Sequence, residues 1–169
     1  MDSVAYERVV RDEKDRIYSY ATRMLRHPAD AQDVAQEALV KLWQHRSRVE
    51  ADGARFWLRR TAHNLCIDRI RRRRSRPEVD TELNESISAD SRGGPGRLAE
   101  SAEVGRLIEV ALEGLPPRDR AVLLLREVQG LPYAEIAGIL DIPLGTLKAR
   151  LHRAREQLRT KLVRAGVSP

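Results

Sequence analysis

The sequence contains a single cysteine, Cys66, and aromatic residues make up only 4% of its 169 positions. One cysteine excludes an internal disulfide and suits a reducing compartment. Because Cys66 lies among Leu65, Ile67 and Ile70, we interpret it as a buried apolar residue rather than a redox sensor. The chain also shows no secretory signal and no apolar run near the roughly 20 residues that span a bilayer. These absences predict a cytoplasmic protein that does not insert into membranes.

Recognisable catalytic and metal-binding motifs are missing as well. The sequence has no Gly-rich phosphate-binding loop, no Cys/His spacing typical of a metal site, and no Ser, His and acid set that could form a triad. We therefore expect no catalytic residues, no metal and no cofactor, and hence a protein that is not an enzyme. A nuclease or other nucleic-acid enzyme is an alternative. We rank it low because carboxylates that could bind a metal do not cluster beside the arginine-rich segment. Metal-dependent cleavage in a gel assay would revive it.

Positive charge, by contrast, is abundant. Lys and Arg number 31 against 25 Asp and Glu, which gives a formal net charge of +6 and a pI near 10.0. Such a balance favours a polyanionic partner, either a nucleic acid or an anionic membrane surface. Because no run of residues is apolar and long enough to span a membrane, nucleic acid is the favoured partner.

The segment from Leu115 to Leu162 has the pattern of a helix-turn-helix. Pro117 can open one helix and Gly130 can end it, because glycine adopts the left-handed C-terminal cap without strain. A helix of about two turns is predicted from Pro132 to Leu140, and a basic helix begins after a break at Gly145-Thr146. This arrangement is typical of units that lay their second helix in the DNA major groove. A plain helical hairpin with solvated cations is the competing interpretation.

Three further helices are predicted in the first half of the chain, where apolar residues recur at helical spacing. Residues from Pro77 to Gly96 are mostly acidic, small or glycine, and they bury too little apolar surface to order themselves. The helical pattern resumes near Leu98. We therefore predict an all-α fold of two small helical domains joined by a flexible linker. The predicted bounds are 1–76 for the first domain, 77–97 for the acidic, Gly-rich linker and 98–169 for the helix-turn-helix domain.

The end of the first predicted domain is crowded with arginine, opposed only by Asp68. Cations at a helix C-terminus complement the helix dipole, which explains a few arginines but not this density. Beside them stand aromatic rings on which bases can stack and side chains that can bond base edges, a combination that binds single-stranded nucleic acid. The residues concerned are Arg55, Arg59, Arg60, Arg69, Arg71, Arg72, Arg73, Arg74 and Arg76, with Phe56, Trp57, His63 and Asn64.

Three segments resemble the extracytoplasmic-function sigma factors, the smallest group of the sigma-70 family. DAQDVAQEALVKLW, from Asp30 to Trp43, looks like their polymerase-binding helix. FWLRRTAHNLCIDRIRR, from Phe56 to Arg72, is similar to their promoter-melting and −10 recognition segment. The stretch from Leu115 to Arg155 is similar to their −35-reading domain. The resemblance covers nearly the whole chain apart from the linker and the ends.

The resemblance implies that the chain binds core RNA polymerase, at the β′ clamp and the β subunit, and directs it to promoter DNA. The family also leads us to expect an anti-sigma factor that covers the same surfaces. Core packing of the tryptophan and helix solvation by the acids are the competing interpretations of the polymerase-binding set. That set consists of Asp33, Gln36, Glu37, Leu39 and Trp43.

The same resemblance divides the promoter contacts between the two domains. Lys148 and Arg153 suit guanine edges or phosphates, whereas Arg150 suits the phosphate backbone. A stand-alone helix-turn-helix regulator of duplex DNA is the alternative function, but it leaves the acidic helix and the arginine-rich segment unexplained. The −35 set is Thr146, Lys148, Ala149, Arg150, His152 and Arg153. The −10 and melting set is Arg59, Arg60, His63, Asn64, Arg71, Arg72, Arg73 and Arg74.

Overall fold

The computed structural model describes residues 1–76 and 95–168, with side chains from residue 100 onward in the second range. All regular elements in these two ranges are helices, which confirms the all-α prediction. Most of the predicted linker, residues 77–94, lies outside the described residues. The predicted bounds of the two domains stay a prediction, and the two described ranges are called here the N-terminal and C-terminal halves.

Three helices form the N-terminal half: α1 (Ser3–Leu25), α2 (Pro28–Gln44) and α3 (Ala54–Ser75). The helix α1 begins after Asp2, whose carboxylate accepts a hydrogen bond from the Ala5 amide at 2.8 Å. Proline at the first position of α2 loses no helical hydrogen bond there, because that amide would be unpaired in any case. The three helices pack on one another, as their apolar spacing predicted.

The C-terminal half contains α4 (Pro95–Glu113), α5 (Pro117–Leu123), α6 (Tyr133–Leu140) and α7 (Leu144–Arg164). A π-helical segment, Leu124–Val128, continues α5 without a break. Four of these five segments match helices predicted from the sequence, and the π-helical widening at the end of α5 was not predicted. The helix α4 begins three residues earlier than expected, because its first residue is a proline, which favours the first turn.

Two backbone positions with positive φ separate the last three helices. Gly130 has φ +67° after the π-helical segment, which confirms the predicted glycine stop. Asp141 has φ +53° at the end of α6, a conformation that aspartate tolerates better than most side chains. The chain then turns through Pro143 into α7, so that α6 and α7 form the predicted helix-turn-helix.

One hydrophobic core is shared by both halves of the chain. From the N-terminal half, α1, α2 and α3 contribute side chains such as Tyr20, Met24 and Cys66. From the C-terminal half, α4 to α7 contribute side chains such as Leu124 and Ile136. The sequence left the relative arrangement of the halves open, and the structure packs them together. A second core is confined to the N-terminal half and includes Ile17, Leu42 and Leu58.

A buried arginine joins the two halves through backbone carbonyls. Arg120 on α5 donates to the Met24 carbonyl at the end of α1 at 2.6 Å. Its guanidinium also donates to the carbonyls of Leu112 at 2.9 Å and Leu115 at 3.2 Å, where α4 ends. Burial lowers the pKa of Arg120, although an arginine side chain stays charged in proteins. The bond to Met24 reaches a carbonyl in the last turn of α1, whereas the Leu112 carbonyl also accepts from the Leu115 amide at 3.1 Å.

A polar pair is also buried where the halves meet. The Tyr20 hydroxyl and the His63 Nδ1 lie 2.8 Å apart, and both side chains are buried. Burial, together with the nearby cations of Arg118 and Arg150, lowers the pKa of His63 to about 4. Burial likewise raises the pKa of Tyr20 well above its ordinary value. Both rings are therefore neutral at pH 7.

This neutral histidine makes the stability of the chain depend on pH. Unfolded, His63 binds a proton with a pKa near 6.5, whereas the folded chain resists protonation until about pH 4. Its contribution is therefore complete above pH 6.5 and is lost as the pH falls towards 4. Between pH 6 and 5 we expect the free energy of unfolding to fall by about 1 kcal/mol from this group. Urea unfolding at the two pH values measures the change.

His63→Gln should remove this difference, because glutamine keeps a polar group near the Tyr20 hydroxyl but does not titrate. His152→Gln is the matched control, since that histidine is exposed on α7. The assignment fails if His63→Gln and wild type lose the same stability between pH 6 and 5.

Candidate nucleic-acid and polymerase interfaces

The helix α7 has one buried face and one exposed cationic face. Leu147, Leu151 and Ala154 are buried against the C-terminal half. These positions are three or four residues apart, so they form one stripe along the helix. The opposite side carries most of the predicted −35 set, all exposed: Thr146, Lys148, Ala149, His152 and Arg153.

Two arginines of α7 are paired with carboxylates of the preceding helices. Arg153 donates to the Asp119 carboxylate at 3.3 Å, with side-chain exposures of 59% for the arginine and 6% for the aspartate. The buried aspartate therefore restrains a guanidinium that still reaches solvent. Arg155 donates from Nε at 2.8 Å and from Nη2 to Glu127, and this pairing raises its pKa.

Arg150 stands apart from the other predicted −35 residues. Its side chain is half-buried, and its Nε is buried without a hydrogen-bond partner among the described residues. With Arg118 at the start of α5, it lies near enough to His63 on α3 to lower the pKa of that imidazole. Arg150 is thus less exposed than Lys148.

The predicted −10 and melting set is divided between the surface and the interior. Five of its residues are exposed along α3: Arg60, Asn64, Arg71, Arg72 and Arg74. Arg73 is half-buried and donates to the Leu25 carbonyl at 2.9 Å and to Asp30. Arg59 and His63 are buried where α3 meets the C-terminal half.

Arg59 is the centre of an ion-pair cluster that spans both halves. Its Nε and Nη2 donate to the two oxygens of Glu13 on α1, at 2.9 and 2.6 Å. Its Nη1 donates to Glu135 on α6 at 2.6 Å. Burial alone would lower the pKa of Arg59, but the hydrogen bonds and charges of the two glutamates outweigh it and raise the pKa. All three nitrogens of this guanidinium are therefore engaged by carboxylates.

The predicted polymerase-binding acids lie along α2. Asp33 and Gln36 are exposed, and Glu37 is half-buried. Arg69 of α3 crosses this row, at 3.3 Å from Asp30, 3.9 Å from Asp33 and 4.0 Å from Glu37. The separations from Asp33 and Glu37 exceed hydrogen-bond distance. Glu37 is also paired with Lys41 at 3.4 Å, so Asp33 is the acid of this row that is more available to a partner.

The apolar end of this surface is formed by Leu39 and Trp43. The Trp43 ring is 37% exposed and meets the Tyr6 ring edge-on, with centroids 4.9 Å apart. The Arg46 guanidinium lies 3.9 Å from its centroid on the ring face. Leu39 is half-buried, and its carbonyl accepts from the Tyr6 hydroxyl at 3.1 Å. The tryptophan is thus held in one orientation while part of it reaches solvent.

Sequence reasoning did not single out Glu13, Glu135 or Asp119. A signal for Glu13 exists, since it stands four residues from both Val9 and Ile17 and so shares their buried face. A charge at a core position requires a charged partner, and Arg59 is that partner. Glu135 and Asp119 offer no such periodic signal, because they pair with residues brought near by the fold.

Three further properties of residues 1–76 and 95–168 concern metal binding, membrane crossing and the single cysteine. No group of three or more His, Cys, Asp or Glu in these ranges could hold a metal ion. No helix in them combines the length and apolar character that crossing a membrane requires. Cys66 is fully buried, and burial raises the pKa of its thiol to about 12, as its apolar surroundings predicted.

Comparison with known proteins supports the resemblance read from the residues. Residues 9–76 match the family described as sigma-70 region 2, and residues 105–158 match sigma-70 region 4. The RNA polymerase sigma factor SigW of Bacillus subtilis is 36% identical, covering 95% of this chain and 90% of that relative. The sigma-E factor of Escherichia coli is 31% identical, covering 95% of this chain and 88% of that relative. SigE of Mycolicibacterium smegmatis is 33% identical over 95% of this chain, which spans 62% of SigE.

Two solved structures share the fold. The sigma factor RpoE of Bartonella quintana, solved with the anti-sigma factor NepR, superposes with a TM-score of 0.72 at 22% identity, covering 93% of this chain and 96% of the other. CnrH, solved with the cytosolic domain of CnrY, gives a TM-score of 0.69 at 23% identity, covering 98% and 92%. Three observations therefore point to the same family: the order of the two matched regions, the all-helical fold and the identity of the relatives. The chain belongs to the extracytoplasmic-function group of the sigma-70 family of RNA polymerase sigma factors.

Proposed function

We propose that this sigma factor binds core RNA polymerase and directs it to promoters by reading a −35 and a −10 element. The observation that carries the proposal is the exposed cationic face of α7, which follows the helix-turn-helix break in a chain that matches sigma-70 regions 2 and 4 in order. The protein acts by binding rather than by catalysis, and it works in the cytoplasm, where core polymerase is found.

The −35 element is read by the first turns of α7 in the major groove. Lys148 and Arg153 supply cations for guanine edges or phosphates, and a well-placed cation on guanine is a common specific contact. Thr146 and His152 add hydrogen-bonding groups on the same exposed face. Ala149 offers a methyl group that can pack against the methyl of thymine.

The −10 element is held by α3 of the N-terminal half. Arg60, Arg71, Arg72 and Arg74 offer exposed cations to the phosphates of a separated strand, and Asn64 offers an amide to base edges. Arg59 and His63 join this set once the C-terminal half has moved away from them. Opening the duplex requires a base to be unstacked, which costs a few kcal/mol. The contacts of α3 with the separated strand and those with polymerase offset this cost.

Core polymerase docks on α2, through the exposed carboxylate and amide of Asp33 and Gln36 with Glu37 beside them. Leu39 and Trp43 provide the apolar end of the same surface, and basic segments of the β′ clamp complement its charge. We also propose an anti-sigma factor as a regulator, since RpoE and CnrH, which share the fold, were solved with such a factor and with the cytosolic domain of CnrY.

Reconstituted transcription tests this function. The purified chain is added to core RNA polymerase and a library of promoter fragments, and the 5′ ends of the transcripts are sequenced. We expect transcripts with a shared pair of upstream elements that are absent without the chain. Binding to duplex DNA without any directed initiation would instead indicate a stand-alone regulator.

If α7 binds promoter DNA and α2 binds core polymerase, substitutions on the two helices should weaken different binding steps. Lys148→Ala should weaken promoter binding by the holoenzyme roughly tenfold or more, because a cation aimed at DNA is lost. Asp33→Ala combined with Glu37→Ala should weaken association with core polymerase and leave DNA binding by α7 intact. Fluorescence anisotropy with labelled promoter or labelled core polymerase measures each affinity.

Arg159→Ala controls for charge, since this exposed arginine lies on α7 beyond the predicted groove-facing turns. The division is contradicted if Lys148→Ala and the Asp33 and Glu37 pair impair the same binding step.

Asp119 should act as a positioning residue for Arg153. Its buried carboxylate restrains the guanidinium at 3.3 Å, so Asp119→Asn should loosen Arg153 and reduce discrimination between cognate and altered −35 elements roughly fivefold. Competition binding with the two DNA sequences measures that ratio.

A double-mutant cycle separates positioning from a general folding defect. Asp119→Asn should change the ratio in wild type but add nothing in an Arg153→Ala background. Equal effects of Asp119→Asn in both backgrounds would show that the aspartate acts independently of Arg153.

A further inference from the structure

We propose that Arg69 of α3 is an internal competitor for the acids of α2, so that a cation of core polymerase must take its place beside Asp33 and Glu37. The inference rests on the proposed function, since it concerns the surface proposed to dock on polymerase. It adds a residue that lowers the affinity for polymerase rather than raising it.

Arg69 reaches the acids of α2 from the neighbouring helix. Its Nη1 lies 3.3 Å from Asp30 and 3.9 Å from Asp33, and its Nη2 lies 4.0 Å from Glu37. The three acids are three or four residues apart, so they form one row along α2 that a single guanidinium can span. Arg69 therefore lies where a basic partner of this row would place its own charge.

The hydrogen bond that holds Arg69 goes to the innermost acid of the row. It joins Nη1 to the Asp30 carboxylate at 3.3 Å. The side chains of Asp33 and Glu37 are 61% and 41% exposed, and their separations from Arg69 are too long for hydrogen bonds. Exposed ion pairs contribute little stability, so a partner can replace these two contacts while the bond to Asp30 stays in place.

Cations of the chain itself balance the negative charge of the row. Arg69 and Arg73 both donate to Asp30, and Lys41 pairs with Glu37 at 3.4 Å. The contacts of the row thus bring three cations to three carboxylates. A polymerase cation that approaches the outer acids meets the like charge of Arg69 close by, and that repulsion opposes binding.

A positioning role for Arg69 would have the opposite consequence. An arginine that orders the acids for polymerase raises the affinity, so its removal should weaken binding. An arginine that competes with polymerase lowers the affinity, so its removal should tighten binding. The geometry favours competition, because the 3.9 Å separation from Asp33 is too long for a hydrogen bond that would orient its carboxylate.

Arg69→Gln tests the competition, because glutamine removes the charge and keeps an amide that can donate to Asp30. At low ionic strength the variant should bind core RNA polymerase roughly threefold more tightly than wild type, about the contribution of one exposed ion pair. The gain should shrink as salt is added, because salt screens the repulsion between exposed charges. Fluorescence anisotropy with labelled core polymerase, without DNA, measures both effects.

Three further variants serve as controls. Arg106→Gln deletes the same charge from an exposed ion pair with Glu103 on α4, outside the α2 row, and should bind like wild type. Arg69→Lys keeps the charge and should lack the gain, whereas a role in packing alone would make the lysine and glutamine variants alike. Arg69→Ala should show the same gain, and it replaces the glutamine variant if that variant does not fold.

A double-mutant cycle connects the gain to the row. In a background with Asp33→Asn and Glu37→Gln, Arg69→Gln should change the affinity by less than about twofold, because the acids for which it competes are neutral. An equal gain in both backgrounds would show that Arg69 acts elsewhere and would overturn the proposal.

The failure of this proposal and that of the proposed function are distinguishable. If wild type binds core polymerase and Arg69→Gln binds no more tightly than Arg106→Gln, the competition is overturned and the proposed function stands. If wild type does not bind core polymerase, the proposed function falls and the inference falls with it.

Discussion

The packing of the two halves around one shared core is the constraint on which the rest of this structure depends. Arg120 of α5 donates to the carbonyls of Met24, near the end of α1, and Leu112, near the end of α4, so hydrogen bonds as well as apolar contacts join the halves. Arg59 adds a charged cluster with Glu13 and Glu135 beside it. The two glutamates outweigh the cost of burying the charge of Arg59, whereas Arg120 is surrounded by carbonyl oxygens and its pKa is lowered by burial.

This packing divides the predicted site residues into exposed ones and buried ones. Asp33 of α2 and Lys148 of α7 are exposed, whereas Arg59 and His63 are buried where the halves meet. Under the proposed function, Asp33 and Gln36 of the polymerase-binding surface are exposed in this arrangement, while Arg59 and His63 of the −10 set are covered where the halves meet.

Much of the fold follows from the sequence because helix ends carry local signals. Pro28, Pro117 and Gly130 mark boundaries through their own backbone restrictions, and the stripe of Leu147, Leu151 and Ala154 sets the buried side of α7. The seam could not be predicted in the same way. Glu135 meets Arg59 only after the chain has folded back across residues 77–94, and an arginine in an arginine-rich helix gives no hint that carboxylates will bury it. The arginine-rich segment therefore predicted nucleic-acid binding, but it did not indicate which of its residues are buried in the fold.

Small-angle X-ray scattering of the isolated chain reports whether the two halves form one compact body in solution. A compact chain of this length has a radius of gyration of about 16 Å, and packing around one shared core predicts a value close to that. A radius well above about 20 Å, as expected for two domains moving separately on a tether, would contradict it.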